Sequence, residues 1–188
     1  MKNIAIFGAS RSGKSTLAKM IYKKYPNYQI ITGDIIRKAF SEILPQNNIN
    51  NKYGSGMLDD FPRFLAYIFN RSIKKNGKDF NYIIDTCDIS PEKAKDLFDT
   101  QDTIIIFLGF PKQTEEEHLI QIKKYQNKDD WTFNKTPEYM IKHAERWTLK
   151  SREFEKKCKE LDICFIDTSF NREQALKEAM QILENQIL

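Results

Sequence analysis

The sequence is poor in what membranes, secretion and metal frameworks require. Its longest apolar run, Ile104 to Phe110, is seven residues including Gly109. Crossing a bilayer takes about 20, so no membrane partner is expected. The apolar stretch at the N-terminus stops after Phe7, and Arg11 soon follows. Neither the apolar core nor the cleavage site of a secretory signal is therefore expected. The three cysteines, Cys87, Cys158 and Cys164, form no CxxC pair, and His118 and His143 lie too far apart for a local pair. A disulfide framework and a zinc site are not expected, and a reducing cytoplasm is the expected compartment. Charge of one sign is nearly balanced, with 30 basic against 26 acidic residues, or +4. That surplus suits an anionic small molecule and is too weak to demand nucleic acid.

What remains is the composition of one soluble globular domain over residues 1–188, a monomer or homodimer, with 40% hydrophobic and 30% charged residues. Apolar β-type runs occur at Asn3–Phe7, Tyr28–Thr32, Phe80–Ile84, Thr103–Leu108 and Ile163–Ile166, with helical periodicity between them. This β-α alternation predicts a parallel sheet covered on both faces by helices. Thr114 with Glu117 predicts a capping box, and Thr136-Pro137 predicts the start of a long helix reaching about Glu160. Phe61, Phe64, Leu65, Ile68 and Phe69 form an apolar stripe at 3-and-4 spacing, ended by Asn76-Gly77 and expected in the core. Pro45–Gly56 reads as a flexible loop, and Gln126–Lys135 as a polar stretch between two helices.

One local pattern carries chemistry. Gly8-Ala9-Ser10-Arg11-Ser12-Gly13-Lys14-Ser15-Thr16 matches G-x-x-x-x-G-K-[ST], directly after a strand and before a helix with Leu17, Met20 and Ile21 on one face. Gly8 and Gly13 permit the backbone angles that turn successive N–H groups inward around a phosphate. The helix N-terminus adds partial positive charge. Lys14 is placed to reach the β- and γ-phosphates of ATP, Ser15 to offer its hydroxyl to Mg²⁺, and Thr16 to sit near the α-phosphate.

Two further elements narrow the choice among P-loop proteins. The second strand ends in Thr32-Gly33-Asp34-Ile35-Ile36-Arg37, and the third in Asp85-Thr86-Cys87-Asp88. With the P-loop, this order resembles the adenylate kinase-like family, which carries TGDxxR after its second strand. The resemblance implies a P-loop NTPase fold: a three-layer α/β/α architecture with a five-stranded parallel sheet of order 2-3-1-4-5. It also implies a small helical acceptor region at 35–79 and a lid region at 123–152. It places Thr32, Asp34 and Arg37 on the acceptor side, with Arg37 gripping an acceptor phosphate as a bidentate fork. It assigns Asp85 to Mg²⁺, usually through water. Asp167-Thr168-Ser169 matches the turn where that family's backbone holds the donor adenine.

The chain departs from the family in two places. Adenylate kinases follow the third-strand aspartate with an arginine that holds the acceptor phosphate, and no arginine stands here; Asp88 instead adds negative charge. Either an acceptor phosphate is held by Arg37, Arg63 or Arg71, or the acceptor is an uncharged alcohol whose proton goes to Asp34 or Asp88. The family's lid arginines fall near Lys123-Lys124, which keep the charge without the fork. Arg146 and Arg152 on the long helix are therefore the arginines expected at the γ-phosphate, over a short lid at Gln126–Lys135. The expected activity is phosphoryl transfer from Mg-ATP to a nucleotide or nucleoside. The alternatives are a non-nucleotide alcohol (a metabolite or antibiotic), a polynucleotide 5′ end, or a nucleotide-binding regulatory module without turnover.

Overall fold

A computed structural model describes residues 1–44, 60–128 and 130–187. In chain order these form β1 (Asn3–Gly8), α1 (Lys14–Lys24), β2 (Tyr28–Thr32), α2 (Gly33–Ile43), α3 (Asp60–Asn76) and β3 (Asn81–Asp85). There follow α4 (Pro91–Leu97), β4 (Thr103–Gly109), α5 (Glu115–Tyr125), α6 (Pro137–Leu161), β5 (Cys164–Asp167) and α7 (Arg172–Ile187). The strands pair in parallel in the order β2-β3-β1-β4-β5. The expected sheet, strand count and order are all present.

The two faces follow from the two-residue period of a strand. Ile4, Ile6, Ile83, Ile104 and Ile106 point one way, into a core closed by Leu17, Ile21, Leu176 and Leu183 of α1 and α7. Ala5, Phe7, Ile84, Ile105 and Phe107 point the other way, against Leu65, Phe69 and Phe154 of α3 and α6. Each fully buried large side chain contributes about 1.5–3 kcal/mol, and every residue of β1 and β4 is buried. The P-loop thus springs from the most firmly held part of the sheet.

The end signals work as read. Thr114 and Glu117 form a reciprocal capping box on α5, and Thr136 Oγ1 accepts the Tyr139 N–H at the start of α6. β1 and β4 each run one residue further than expected, to Gly8 and Gly109, β5 spans Cys164–Asp167 rather than Ile163–Ile166, and Phe80 and Phe64 are placed differently. Phe80 is not a strand residue: its N–H donates to Asn76 O in the turn after α3, so the ladder starts at Asn81, opposite Tyr28. Phe64 is not core but 37% exposed, with its ring 4.6 Å from Phe40. It sits on the flank of α3 that faces α2 rather than the sheet. Pro45–Gly56 lies outside the described residues. Among those described, no helix is long and apolar enough to cross a membrane.

Candidate active site

The sheet reverses its strand order around β1, whose neighbours are β3 and β4. A crevice at the carboxyl ends of the strands beside such a switch point is the usual ligand site of an open α/β sheet. The loop between β1 and α1 fills that position. Gly8 takes φ +135°, Arg11 +72° and Gly13 +106°, and a Cβ on Gly8 would overlap the Leu108 carbonyl oxygen. Gly13 also caps α1 without a side-chain acceptor, so the first-turn N–H groups are left for a ligand.

Lys14 is buried, and its ammonium donates to the Ala9 carbonyl at 2.8 Å. Ser15 Oγ donates to Asp85 Oδ2 at 2.5 Å, which ties the start of α1 to the end of β3. Burial pushes the Asp85 carboxyl up, and Lys14 and Ser15 pull it back only in part, so it stands above the ordinary carboxylate value. A hydroxyl and a carboxylate side by side at a helix N-terminus are a donor set for a hard divalent cation. Ser12 Oγ and Arg11 Nε are buried without a hydrogen-bond partner among the described residues, as expected of a loop built to be completed by an oxyanion.

The β2–α2 and β3–α4 turns meet at the other end of the cleft. A Cβ on Gly33 would lie 2.5 Å from Thr86 Oγ1, so only glycine lets these turns approach so closely. Arg37 pairs with both Asp34 and Asp88, and its side chain is only 12% exposed. Burial draws its pKa down, but the charges of Asp88, Cys87 and Asp34 overturn this and leave it above the ordinary arginine value. Thr86 Oγ1 donates to Asp88 at 3.0 Å. Asp34, Cys87 and Asp88 bring their ligand atoms within 4.8 Å of one another, and Arg37 already supplies the cation between the two carboxylates. Thr32 is the residue before α2 and makes no side-chain cap.

A cleft of about 590 Å³ joins these parts. Ser10, Arg11, Gly13, Lys14, Ser15 and Thr16 line it on one side, and Asp34, Arg37, Lys38 and Cys87 on the other. Tyr125, Asp130, Trp131 and Arg172 are among the lining residues not singled out from the sequence as site residues. Arg172 Nη2 donates to Thr16 Oγ1 at 3.0 Å, and its guanidinium lies 4.4 Å over the Tyr125 ring. Burial and the nearby Arg11 charge hold it below the ordinary arginine value. Arg11 itself pairs with Asp130 of the stretch between α5 and α6.

Other expected site residues lie elsewhere. Arg152 reaches the Pro111 carbonyl through Nε at 3.0 Å and the Gln113 carbonyl through Nη2 at 3.1 Å. It clamps the chain leaving β4, and neither it nor Arg146 lines the cleft. The cause is the packing of α6, which commits Met140, Ala144, Trp147 and Phe154 to the interior and so fixes where its arginines emerge. Lys123 is exposed on α5 and does not line the cleft. Arg63, 75% exposed and 4.0 Å from Asp60, and the exposed Arg71 also fail to line it, because α3 turns its apolar side to the sheet.

A second cleft, of about 560 Å³, shares Tyr125 and Arg172 with the first and is also lined by Ser169, Phe170, Gln121 and Lys124. Asp167 pairs with Lys112 at 2.8 Å and accepts the Ser169 N–H at 2.9 Å, while Thr168 Oγ1 donates to the Gly109 carbonyl at 2.9 Å. Their side chains shape the turn, and Ser169 is the member that faces the cleft.

Behind the loop, His118 is fully buried, its ring 3.6 Å from the Phe110 ring and its Nδ1 3.0 Å from Gln113 Oε1. Burial, with Arg11 and Arg172 adding repulsion, pushes its pKa down from 6.5 to about 3. The native state therefore holds it neutral, whereas the unfolded chain protonates it below pH 6.5. Its contribution is complete above that pH and is lost as pH falls toward 3, by at most about 1.4 kcal/mol per pH unit. Urea melts between pH 7 and 4 should show His118→Gln falling less steeply than the parent; parallel slopes would mean the ring is protonated in the fold.

No family model matches the sequence. An adenylate kinase from Azobacteroides pseudotrichonymphae genomovar. CFP2 is 32% identical over 142 residues, covering 69% of this chain and 72% of that protein. An adenylate kinase from Mesomycoplasma hyopneumoniae (strain 232) is 37% identical over 89 residues, covering 45% of this chain and 40% of that protein. Among solved structures, a shikimate kinase from Bacteroides thetaiotaomicron superposes with a TM-score of 0.60 at 12% identity, covering 97% of this chain and 98% of that one. A gluconokinase from Sinorhizobium meliloti 1021 gives 0.60 at 17%, covering 99% and 95%. A deoxyadenosine kinase from M. mycoides with bound dATP gives 0.52 at 17%, covering 98% and 100%. At such identities the likeness is one of fold.

Proposed function

Because the chain belongs to the adenylate kinase family, we propose that it transfers the γ-phosphoryl group of Mg-ATP to a small-molecule acceptor, a nucleotide or a nucleoside. The observation that carries this reading is the Gly8–Thr16 loop at the sheet's switch point, with a buried Lys14 on one side and the Ser15–Asp85 pair on the other.

In this proposal Lys14 leaves the Ala9 carbonyl for the β- and γ-phosphate oxygens, while the N–H groups from Gly13 to Thr16 at the start of α1 hold the tail of the donor. Ser15 and Asp85 would hold Mg²⁺, which offsets charge on the phosphate oxygens when bound. Arg11 and Arg172 take the place expected of Arg146 and Arg152, since they flank the loop in the same cleft. The donor base is assigned to the second cleft, against Tyr125 and Arg172 and beside Ser169. Thr32 and Asp34 belong to the acceptor side. Residues 35–79 form the acceptor region and 123–152 the lid region, with Asp130 as the lid residue that touches the loop.

An ADP-release assay over nucleoside monophosphates, nucleosides and small alcohols tests this reading. Turnover of a nucleotide or nucleoside supports it. Turnover of other alcohols alone replaces the acceptor, and ATP binding with no turnover favours a regulatory module. Arg172→Ala should raise KM for ATP about tenfold, with a much smaller change for the acceptor. Equal effects on both substrates would move Arg172 out of the donor site.

A further inference from the structure

Charge divides the cleft into two unlike halves. On the loop side stand Arg11, Lys14 and Arg172, with Asp130 as the ion-pair partner of Arg11. On the opposite side Arg37 is already bonded to Asp34 and Asp88, two carboxylates against one guanidinium. The remaining cation lining that side among the described residues is Lys38, which is 79% exposed and 3.9 Å from Glu42 Oε1. Asp88 and Glu42 do not line the cleft, yet each pairs with a cation that does, so both Arg37 and Lys38 already stand beside carboxylates.

We propose that the acceptor oxygen belongs to an uncharged hydroxyl compound, a nucleoside rather than a nucleoside monophosphate. This rests on the kinase reading above and narrows its acceptor. A phosphate on the acceptor would need a guanidinium fork, and the fork of Arg37 is bonded to its two carboxylates with only 12% of its side chain exposed. Taking Arg37 away from Asp88 would leave that half-buried carboxylate facing the incoming dianion, which is costly in a partly desolvated site. The β3–α4 turn offers Thr86, Cys87 and Asp88 and no second cation. Arg37 is here a positioning residue: it holds the β3–α4 turn against α2 and aims Asp34, the more exposed carboxylate, into the cleft.

The chemistry then balances with the chain's own groups. The acceptor O–H attacks the γ-phosphorus, an O–P bond forms, and the bond from the γ-phosphorus to the bridging oxygen of ADP breaks. The electron pair leaves with ADP, and the hydroxyl proton passes to the Asp34 carboxylate and on to solvent.

The test uses the full chain and matched pairs (adenosine and AMP, deoxyadenosine and dAMP, and the corresponding guanine, cytosine and uracil compounds). Rates of ADP release are measured with Mg-ATP. The neutral member should exceed its monophosphate at least about tenfold in kcat/KM; a monophosphate that matches or exceeds its nucleoside overturns the proposal while leaving the kinase reading intact. Should no pair turn over, the Arg37 Nε–H resonance of labelled protein, assigned with Arg37→Lys, is followed against inorganic phosphate in the presence of a non-hydrolysable Mg-ATP analogue. No saturable shift below about 20 mM phosphate is expected from a guanidinium already paired, and a saturable shift overturns the proposal. Binding of the analogue itself reports on the donor site separately, so loss of the kinase reading is distinguishable.

Discussion

Lys14→Ala should lower kcat by about 10³-fold or more, near 4 kcal/mol of transition-state stabilisation, while the protein stays folded. Phosphoryl transfer asks little covalent chemistry of the enzyme, so fixed cations around the γ-phosphate carry much of the acceleration. Lys14 is a fixed cation: buried, on the first residue of α1, and held by the loop carbonyl of Ala9. Folding should depend on it weakly: its ammonium donates to the Ala9 carbonyl and its charge acts on the buried Asp85, but burying a long charged side chain is itself unfavourable. A coupled rate assay read beside a thermal melt separates the two effects. Activity within tenfold of the parent would remove this lysine from the machinery, and a collapsed melt would make it a structural residue.

Gly8→Ala should destabilise the fold by about 3 kcal/mol or more and lower Tm by about 10 °C. Two causes act together. The backbone at φ +135° is one that L side chains rarely adopt, and the added Cβ would occupy the space of the Leu108 carbonyl oxygen. That oxygen also accepts the Ala9 N–H at 3.1 Å, so it cannot retreat without opening the junction between β1 and the loop. No rotamer relieves a clash between Cβ and backbone in the centre of a sheet. Gly13 provides the internal comparison. Its nearest obstacle is the Nε of Arg172 at 3.0 Å, the end of a flexible side chain, so Gly13→Ala should cost less stability even though its φ of +106° is also strained. Urea melts of the two variants check the order; equal losses would mean that strain in φ, rather than the Leu108 contact, sets the cost.

The parts of this molecule legible in its sequence are those fixed by local pattern. The strands announced themselves as unbroken apolar runs because both faces of a parallel sheet are covered, and Thr114, Glu117 and Thr136 sit where a helix start needs an acceptor. The loop residues were legible for the same reason, since their spacing is the geometry. What local pattern does not encode is which distant cations converge on the loop. Arg172 reaches Thr16 only because α7 packs beside α1, and Arg11 meets Asp130 across 119 residues. The only sequence signal for Arg172 was its position directly after the Asp167–Asn171 turn. Arg152 looked equally available until the packing of α6 sent it to the carbonyls of Pro111 and Gln113. Phe64 shows the same limit for the core: helical spacing names a stripe but not its width, and α2 rather than the sheet covers that flank.

Isothermal titration calorimetry of the full chain with a non-hydrolysable Mg-ATP analogue tests the role of the Gly8–Thr16 loop most directly. A single saturable site is expected, weakened at least about tenfold in Lys14→Ala. Absence of binding heat across a range of temperatures, or unchanged affinity in that variant, would contradict the assignment of this loop to the donor triphosphate.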